Sequence, residues 1–472
     1  MDNITANMEP KNNNGEKIET VFINSKNIPE NLMENKIEKP KKNGIYGLTG
    51  IVNTTNTCYM NSAIQAFSHN YPLTSYLFNE KEKILDILKK NARKIFKDVE
   101  AFKLDSNSII PMELREKIQN PNYNPSMLTI EECDIVFNNT ITAQLIKLLE
   151  NMWAKNCVVV PTSFRRVFSD ARDKFFYGYE QHDAEEAYSC VLQKMQEELA
   201  EEKNVKIKTT QQSVQEFLQF KNEISNKIKN ASSTENKKIL LDMYKQMKKK
   251  MPVESLMVEA FREMSKYYST SYSRITEIFS GFLHSSISCP NTECDYSSNK
   301  FDPFLHLSLP IPARSVSGAI ITIEDCMKEY CKEEILDDQN LWFCEGCNKK
   351  VKGIKKLQLW TAPPVLVIQL KRFSRTLKDN RLVKYPMEKF DISSIISPVQ
   401  SDFPKCNIYR LQCVINHTGG LHGGHYYTYC LDEDSGKWFE FNDMNVFEIS
   451  SDRIMTSTAY LLYYIREDMI NH

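Results

Sequence analysis

Residues Gly50–Ser62 read GIVNTTNTCYMNS, and what Cys58 does there decides how the rest of the chain is read. Asn53 to Thr57 are all hydroxyl or amide residues, and beyond the cysteine apolar residues recur at Met60, Ile64 and Phe67, the spacing of one helix face. Asn56 or Thr57 is placed to cap such a helix, so the pattern predicts a helix opening at Cys58. A thiol in the first turn lies near the positive end of the helix dipole and beside unpaired backbone N–H groups, which favours thiolate and therefore nucleophilicity. A buried cysteine packing as a small hydrophobe is the plainer reading of one thiol, so Cys58 needs partners elsewhere.

Composition narrows the classes. The chain has 472 residues, 41% of them apolar, which fits a globular protein with several subdomains and a large core. Lys+Arg at 60 against Asp+Glu at 61 leave a net charge of −1, so nothing electrostatic argues for nucleic acid as the main partner. The apolar run near Pro363 to Leu370 is too short to span a bilayer, and MDNITANMEPKNNN lacks the apolar core of a signal peptide. An intracellular soluble protein is expected, without a membrane partner. Thirteen cysteines in such a chain are better read as free thiols, metal ligands or a nucleophile than as disulfides.

Along the chain, residues 1–43 are rich in Asn, Lys and Glu and read as a disordered tail, with the fold beginning near Tyr46. Residues 46–194 read as a helical lobe, including an amphipathic segment near Ile141 to Trp153 and a helix opening at QHDAEEAYSCVLQKM. Residues 195–268 are densely charged, with apolar positions such as Ile239, Met243 and Met247 at helical spacing, and read as an inserted helical arm. From about residue 275 to 466, short β-rich runs such as FLHLSLPI, VLVIQLKRF, YRLQCVINH and AYLLYYI predict a mixed or antiparallel sheet.

Within that sheet, GGLHGGHYYTYC places four of the 14 glycines in six positions and then becomes a strand carrying His425. DEDSG supplies a turn and KWFEFND returns, so a regular hairpin makes His425 and Asn442 near neighbours, about 4.5–5.5 Å apart at Cβ if directly opposite. Asn442 is then placed to hold the imidazole, the arrangement thiol-based acyl transfer needs. Asp443 points to the other face unless a bulge intervenes, and ranks second.

With these motifs the chain resembles the ubiquitin-specific proteases, cysteine-dependent deubiquitinating enzymes. GIVNTTNTCYMNS resembles their cysteine box, QHDAEE their glutamine-aspartate box, PPVLVIQLKRF a core strand motif, GGHYYTY with WFEFND their histidine box, and AYLLYYIR their terminal strand. The resemblance implies a papain-like α+β catalytic domain over residues 44–468, with a helical lobe, a β-rich lobe, the cleft between them and zinc-supported β fingers. It makes Cys58 the nucleophile, His425 the general base, Asn442 its orienting residue and Asn53 the oxyanion donor. The chain departs from the family's usual Leu-Gly at Thr54 and Thr55, where β-branched residues resist positive φ, and carries Ala187 where a larger apolar residue is common.

The implied partners are ubiquitin and ubiquitinated proteins. Ubiquitin ends in an Arg-Gly-Gly tail, and Asp183 and Glu186, on one face of a helix start, supply acidic groups for its arginine, with Gln181 nearby. Cys289, Cys294, Cys344 and Cys347 resemble the family's zinc-binding fingers; CEGC is a strong signal, and the four-residue gap in CPNTEC is at the upper end of ordinary spacing. One structural zinc is expected there and none for catalysis, while Cys326 and Cys331 are too far apart around a helix to chelate together. The charged insert offers a surface for a regulator or is simply solvated. The expected reaction is hydrolysis of the (iso)peptide or thioester bond after ubiquitin's last glycine through an acyl-enzyme thioester. Its rivals are an impaired ubiquitin-binding scaffold and a protease for a ubiquitin-like modifier.

Overall fold

The helix expected at Cys58 runs Cys58–Ser68 in the computed structural model, which describes residues 20–24, 47–97, 110–313, 320–400, 407–421 and 423–470. All of its 11 residues are buried, so it is a central element rather than a surface helix with one apolar stripe. It packs between the strand Gly424–Asp432 and the helix Ala184–Leu199. Met60, Ala63, Ile64 and Phe67 fill that space, and burying each larger one contributes about 1.5–3 kcal/mol. Polar side chains on it reach out to neighbouring segments: Gln65 Nε2 donates to the Thr49 carbonyl at 2.8 Å, and Ser68 Oγ accepts from Trp153 Nε1 at 2.8 Å.

Around it the helical lobe is built from Tyr71–Asn79, Lys81–Ile95, Met112–Gln119, Ile130–Asn138, Ile141–Ala154, Thr162–Lys174 and Ala184–Leu199. The buried Glu198 carboxylate accepts the N–H groups of Ile141 and Thr142, each at 2.8 Å, and so caps a neighbouring helix from outside its own sequence.

The β-rich lobe is an eight-stranded sheet ordered Asn445–Ile449, Lys437–Asn442, Gly424–Asp432, Ile408–Gly419, Ala459–Arg466, Val365–Lys371 and Leu307–Pro310, with Phe390–Asp391 beside Ile408–Gly419. Only the Val365–Lys371 and Leu307–Pro310 pair is parallel, which makes the sheet mixed. Strand alternation divides its side chains: Val365, Val367 and Tyr463 join the helical lobe's core, while Leu366, Ile368 and Tyr464 close a second core with the helix Ile323–Tyr330. The fingers are a four-stranded antiparallel sheet, Ser297–Phe304, Gly281–Ser288, Ile354–Thr361 and Glu334–Ile335, with a small hairpin of Trp342–Cys344 and Lys349–Val351.

Three long helices, Gln212–Asn230, Thr234–Lys250 and Pro252–Ser271, occupy most of the charged region. Phe217, Val258, Phe261 and Tyr268 from these helices pack on Phe282, Phe301 and Trp360 at the base of the fingers. Met195 belongs instead to the helix Ala184–Leu199 and is fully buried in the helical lobe. Of the expected apolar positions, Met247 packs on the core together with Tyr244, whereas Ile239 and Met243 are 51% and 46% exposed. The expected tail also needs correction for five residues. Thr20–Asn24 (TVFIN) forms a strand parallel to Asn204–Lys208, as a β-branched and aromatic run does when an open edge is available; the rest of residues 1–46, including Tyr46, lies outside the described residues.

Candidate active site

Cys58 is the first residue of its helix and only 3% exposed. Across it stands His425, on the strand Gly424–Asp432 of the opposite lobe. The imidazole Nε2 meets Asn442 Oδ1 at 2.8 Å, which leaves Nδ1 for the sulfur. Asn442 Nδ2 donates to Glu440 Oε1 at 3.3 Å, and this fixes which end of the amide faces the ring. Interaction with Cys58 is the largest influence on His425 and pushes its pKa up to about 9, against the opposing effect of burial and with help from Asn442 and Asp443.

The hairpin brings Asn442 to His425 in a different way from the one expected. Thr428 pairs with Phe441, so continuing the register sets Asn442 opposite Tyr427, and the contact with His425 is diagonal. Asp443 is the larger correction. It takes a left-handed conformation, φ 50°, in the two-residue turn between Asn442 and Asn445, and its carboxylate swings back into the site instead of to the far face. Asp443 Oδ2 accepts from Asn53 Nδ2 at 3.0 Å and lies 3.9 Å from His425 Nε2; Oδ1 accepts from Asn61 Nδ2 at 2.9 Å. Its backbone carbonyl accepts the Ile51 N–H at 2.8 Å. Gly50 permits this approach, because a Cβ there would stand 2.2 Å from the Met444 carbonyl oxygen.

Asn53 is therefore held at both ends, with Oδ1 accepting the Thr57 N–H at 2.9 Å and Nδ2 on Asp443. Thr54 and Thr55 are spared the positive φ that β-branched residues resist, because the left-handed residue of this loop is Asn56, φ 49°, a residue type that tolerates it. Ala187, the other departure, is fully buried one turn after Asp183.

Of the residues assigned to the substrate tail, Gln181 and Asp183 are already engaged. Gln181 Nε2 donates to the Gly424 carbonyl at 3.2 Å and its Oε1 accepts the Gly424 N–H at 3.1 Å, so it clips the backbone one residue before His425 from the opposite lobe. Gly424 must be glycine there: a Cβ would meet His417 Nε2 at 2.2 Å. Asp183 caps its helix through Glu185 N–H at 2.7 Å and accepts from the Tyr460 hydroxyl at 2.7 Å; burial raises its pKa to about 6. Glu186 stands half-buried one turn on.

Sequence reasoning missed Asn61, Glu440 and Arg165. Asn61 follows Cys58 by three residues on a helix and Glu440 precedes Asn442 by two on a strand, so period alone places each on the right face. Arg165, which donates to Thr54 and Thr55, carries no local signal.

In the fingers, Cys289, Cys294, Cys344 and Cys347 offer four sulfurs all within 4.8 Å of one another. Cys289 and Cys347 are 3.7 Å apart at Sγ, as are Cys294 and Cys344, too long for disulfides. Bonds of about 2.3 Å to a tetrahedral ion give ligand separations of about 3.8 Å, so the cluster fits a metal ion with a closed thiolate shell. Among the described residues this is the group able to hold one, and Cys326, fully buried, is not part of it.

A helical lobe, a sheet lobe and fingers arranged around a buried thiol and an imidazole define the class, a two-lobed cysteine hydrolase with a mixed α+β fold. The family profile described as Ubiquitin carboxyl-terminal hydrolase matches residues 49–464. The chain belongs to the ubiquitin carboxyl-terminal hydrolase family, the thiol-dependent deubiquitinases. It is 53% identical over 454 residues to a "Probable ubiquitin carboxyl-terminal hydrolase" of Acanthamoeba polyphaga mimivirus, covering 96% of each chain. It is 29% identical over 425 residues to ubiquitin carboxyl-terminal hydrolase 2 of Homo sapiens, covering 89% of this chain and 55% of that one, so it spans just over half of that relative. The SAGA Ubp8/Sgf11/Sus1/Sgf73 DUB module bound to ubiquitin aldehyde shares the fold, with a TM-score of 0.50 at 20% identity over 89% of this chain and 70% of that one. A structure of the yeast SAGA DUBm gives 0.52 at 20% identity over 89% and 68%. No helix among the described residues is long and apolar enough to cross a membrane.

Proposed function

We propose that this deubiquitinase cleaves the bond after the terminal glycine of ubiquitin with Cys58 as nucleophile, His425 as proton carrier and Asn442 as the residue that orients it. The observation that carries this reading is the His425 Nε2 contact with Asn442 Oδ1 at 2.8 Å, with Cys58 interacting with the same imidazole. His425 takes the proton of the Cys58 thiol as the sulfur attacks the carbonyl carbon. The carbonyl π electrons move to oxygen, and that oxyanion is met by the Asn53 amide and the Cys58 backbone N–H, which has no partner within its helix. Collapse expels the amine, which takes the imidazolium proton, and leaves a thioester. Water then gives a proton to His425, attacks the thioester and releases ubiquitin as a carboxylate. Incubation with a ubiquitin C-terminal electrophile tests this: one adduct on Cys58 is expected, and its absence from folded protein would refute it.

The raised pKa has a measurable consequence. Relative to the ordinary 6.5, a value pushed up to about 9 keeps the imidazole charged through neutrality and discharges it only as pH rises through about 9. Its contribution to stability, complete below 6.5, is lost over the same rise. Turnover of an isopeptide-linked substrate is therefore expected to fall above about pH 9, and Asn442→Ala should move that limb toward lower pH by removing an acceptor from the charged ring. A limb that stays in place in the variant would speak against Asn442.

For the tail of ubiquitin, Glu186 is the carboxylate we assign to the arginine, with Asp183 and Gln181 forming the walls that hold the helix and the His425 strand. Zinc in the Cys289, Cys294, Cys344 and Cys347 cluster would be structural, since four thiolates leave no open position for a substrate. Cys344 and Cys347 at the Trp342–Cys344 hairpin and Cys289 and Cys294 beyond the strand Gly281–Ser288 would hold it, which would tie the two segments together. One zinc per chain is expected by elemental analysis, falling to none in Cys344→Ser/Cys347→Ser together with faster proteolysis of the fingers. A fully metal-free wild-type protein with stable fingers would contradict this.

A further inference from the structure

The pair Thr54-Thr55 is held in a way that the nucleophile motif does not foretell. Arg165 Nη1 donates to Thr54 Oγ1 at 2.6 Å, and Nη2 donates to Thr55 Oγ1 at 2.6 Å and to the Gly178 carbonyl at 3.4 Å. A planar guanidinium fixes the two hydroxyls relative to each other, and in β-branched residues a fixed hydroxyl also restricts the backbone. The base of the fork is rigid: Arg165 lies in the helix Thr162–Lys174 between Phe164 and Phe168, each 1% exposed, and Phe168 stacks on Phe176 at 4.4 Å between ring centroids. Asn56 adds a second strap, its Nδ2 donating to the Tyr179 carbonyl at 2.9 Å. Thus the segment between Asn53 and Cys58 is bound to the loop that carries the exposed Tyr177 and Tyr179.

We propose that Arg165 is a positioning residue for hydrolysis: by gripping Thr54, Thr55 and Gly178 it sets the distance between the Asn53 amide and the Cys58 N–H, the two donors that meet the oxyanion. The inference rests on the assignment of Cys58 and Asn53 made above. Its three acceptors are neutral oxygens, so Arg165 also leaves its positive charge beside the loop. None of these contacts closes the hydrophobic core: Arg165, Thr54 and Thr55 are all half-buried, and water can replace the lost bonds. Loss of the grip therefore acts on the transition state more than on folding or on ubiquitin affinity.

The test is a cycle of Arg165→Met, which keeps the aliphatic stem, and Thr54→Val/Thr55→Val, which keeps the shape without the hydroxyls. Kinetics use a ubiquitin substrate with a small fluorogenic leaving group, alongside thermal melts and ubiquitin binding to each variant carrying Cys58→Ala. Arg165→Met is expected to lower kcat about tenfold or more with KM and binding within twofold, since small misplacements of reacting groups have effects of this size. The threonine pair should lower kcat similarly, and the combined variant should be no worse than either, because one interaction is lost only once. Arg165→Lys, which keeps the charge but not the fork, should remain closer to Arg165→Met than to wild type. A kcat within twofold of wild type in Arg165→Met, or losses that multiply in the combined variant, would overturn the proposal while leaving the mechanism intact. Turnover by the Cys58→Ala protein would instead overturn the mechanism itself. Should Arg165→Met fold poorly, the threonine pair and Arg165→Lys decide the question by the same kcat criterion.

Discussion

Cys58→Ala lowers kcat for ubiquitin conjugates by a factor on the order of 10⁵–10⁶, as expected when a nucleophile is removed from a group of residues that act as a unit. The substitution is mild for the fold. Alanine is the best helix former, Cys58 is the first helical residue, and the loss of one sulfur from a 3% exposed position removes little apolar contact. Ubiquitin affinity should survive, because the surface that receives the tail is kept and only one buried atom is removed. Both quantities come from the same preparation: turnover of an isopeptide-linked substrate and equilibrium binding of ubiquitin. The other cysteines provide the control. Cys413 and Cys430 are buried within the sheet, and the finger cysteines lie in a separate cluster, so none of these six can substitute for Cys58 at the imidazole. Residual turnover well above the expected level, for example more than about one part in a thousand of wild type, would remove Cys58 from its role. So would an electrophile adduct on a different thiol at the wild-type rate.

Asp443→Ala should lower kcat by about a hundredfold to a thousandfold, the range seen when an oxyanion donor is lost, although Asp443 touches no reacting atom in the proposed chemistry. Its two oxygens hold Asn53 at 3.0 Å and Asn61 at 2.9 Å, so one substitution frees the amide that meets the oxyanion and leaves the 2% exposed Asn61 amide without its carboxylate. A left-handed φ of 50° adds a backbone penalty of about 1 kcal/mol for alanine. Asp443→Asn tests the chemistry without that penalty, since asparagine tolerates the conformation, yet its NH₂ group cannot accept from a second amide. We expect Asp443→Asn to stay within a few degrees of the wild-type Tm but to remain strongly impaired in kcat, and Asn442→Ala to be impaired less than either. The reverse order, with Asn442→Ala the more severe and Asp443→Asn near wild type, would show that orienting the imidazole matters more than holding Asn53.

The parts of this site that could be read from the chain are those in which the signal is local. The helix at Cys58 follows from apolar spacing, the His425 hairpin from a turn between two alternating runs, and the CEGC pair from ligand spacing. In each, a few neighbouring residues and one structural period decide the outcome. The insert shows the limit of that method: in its second helix Met247 packs inward as its spacing implies, but Tyr244, beside Phe217, turns inward with it while Ile239 and Met243 stay outside.

Tertiary structure alone decided what the polar side chains do. Gln181 and Asp183 look like substrate contacts in a one-dimensional reading, but Gly424 and Tyr460, more than two hundred residues away, engage them first. Asp443 belongs to the site because one residue turns left-handed, and Arg165 reaches Thr54 and Thr55 across 111 and 110 positions. The sequence by itself determined the family pattern, the thiol at a helix start and the histidine strand, since backbone preference and burial act over a few residues. Which hydrogen-bonding groups meet was settled only when the two lobes closed on each other, because a directional bond of about 3 Å depends on the positions of both lobes at once.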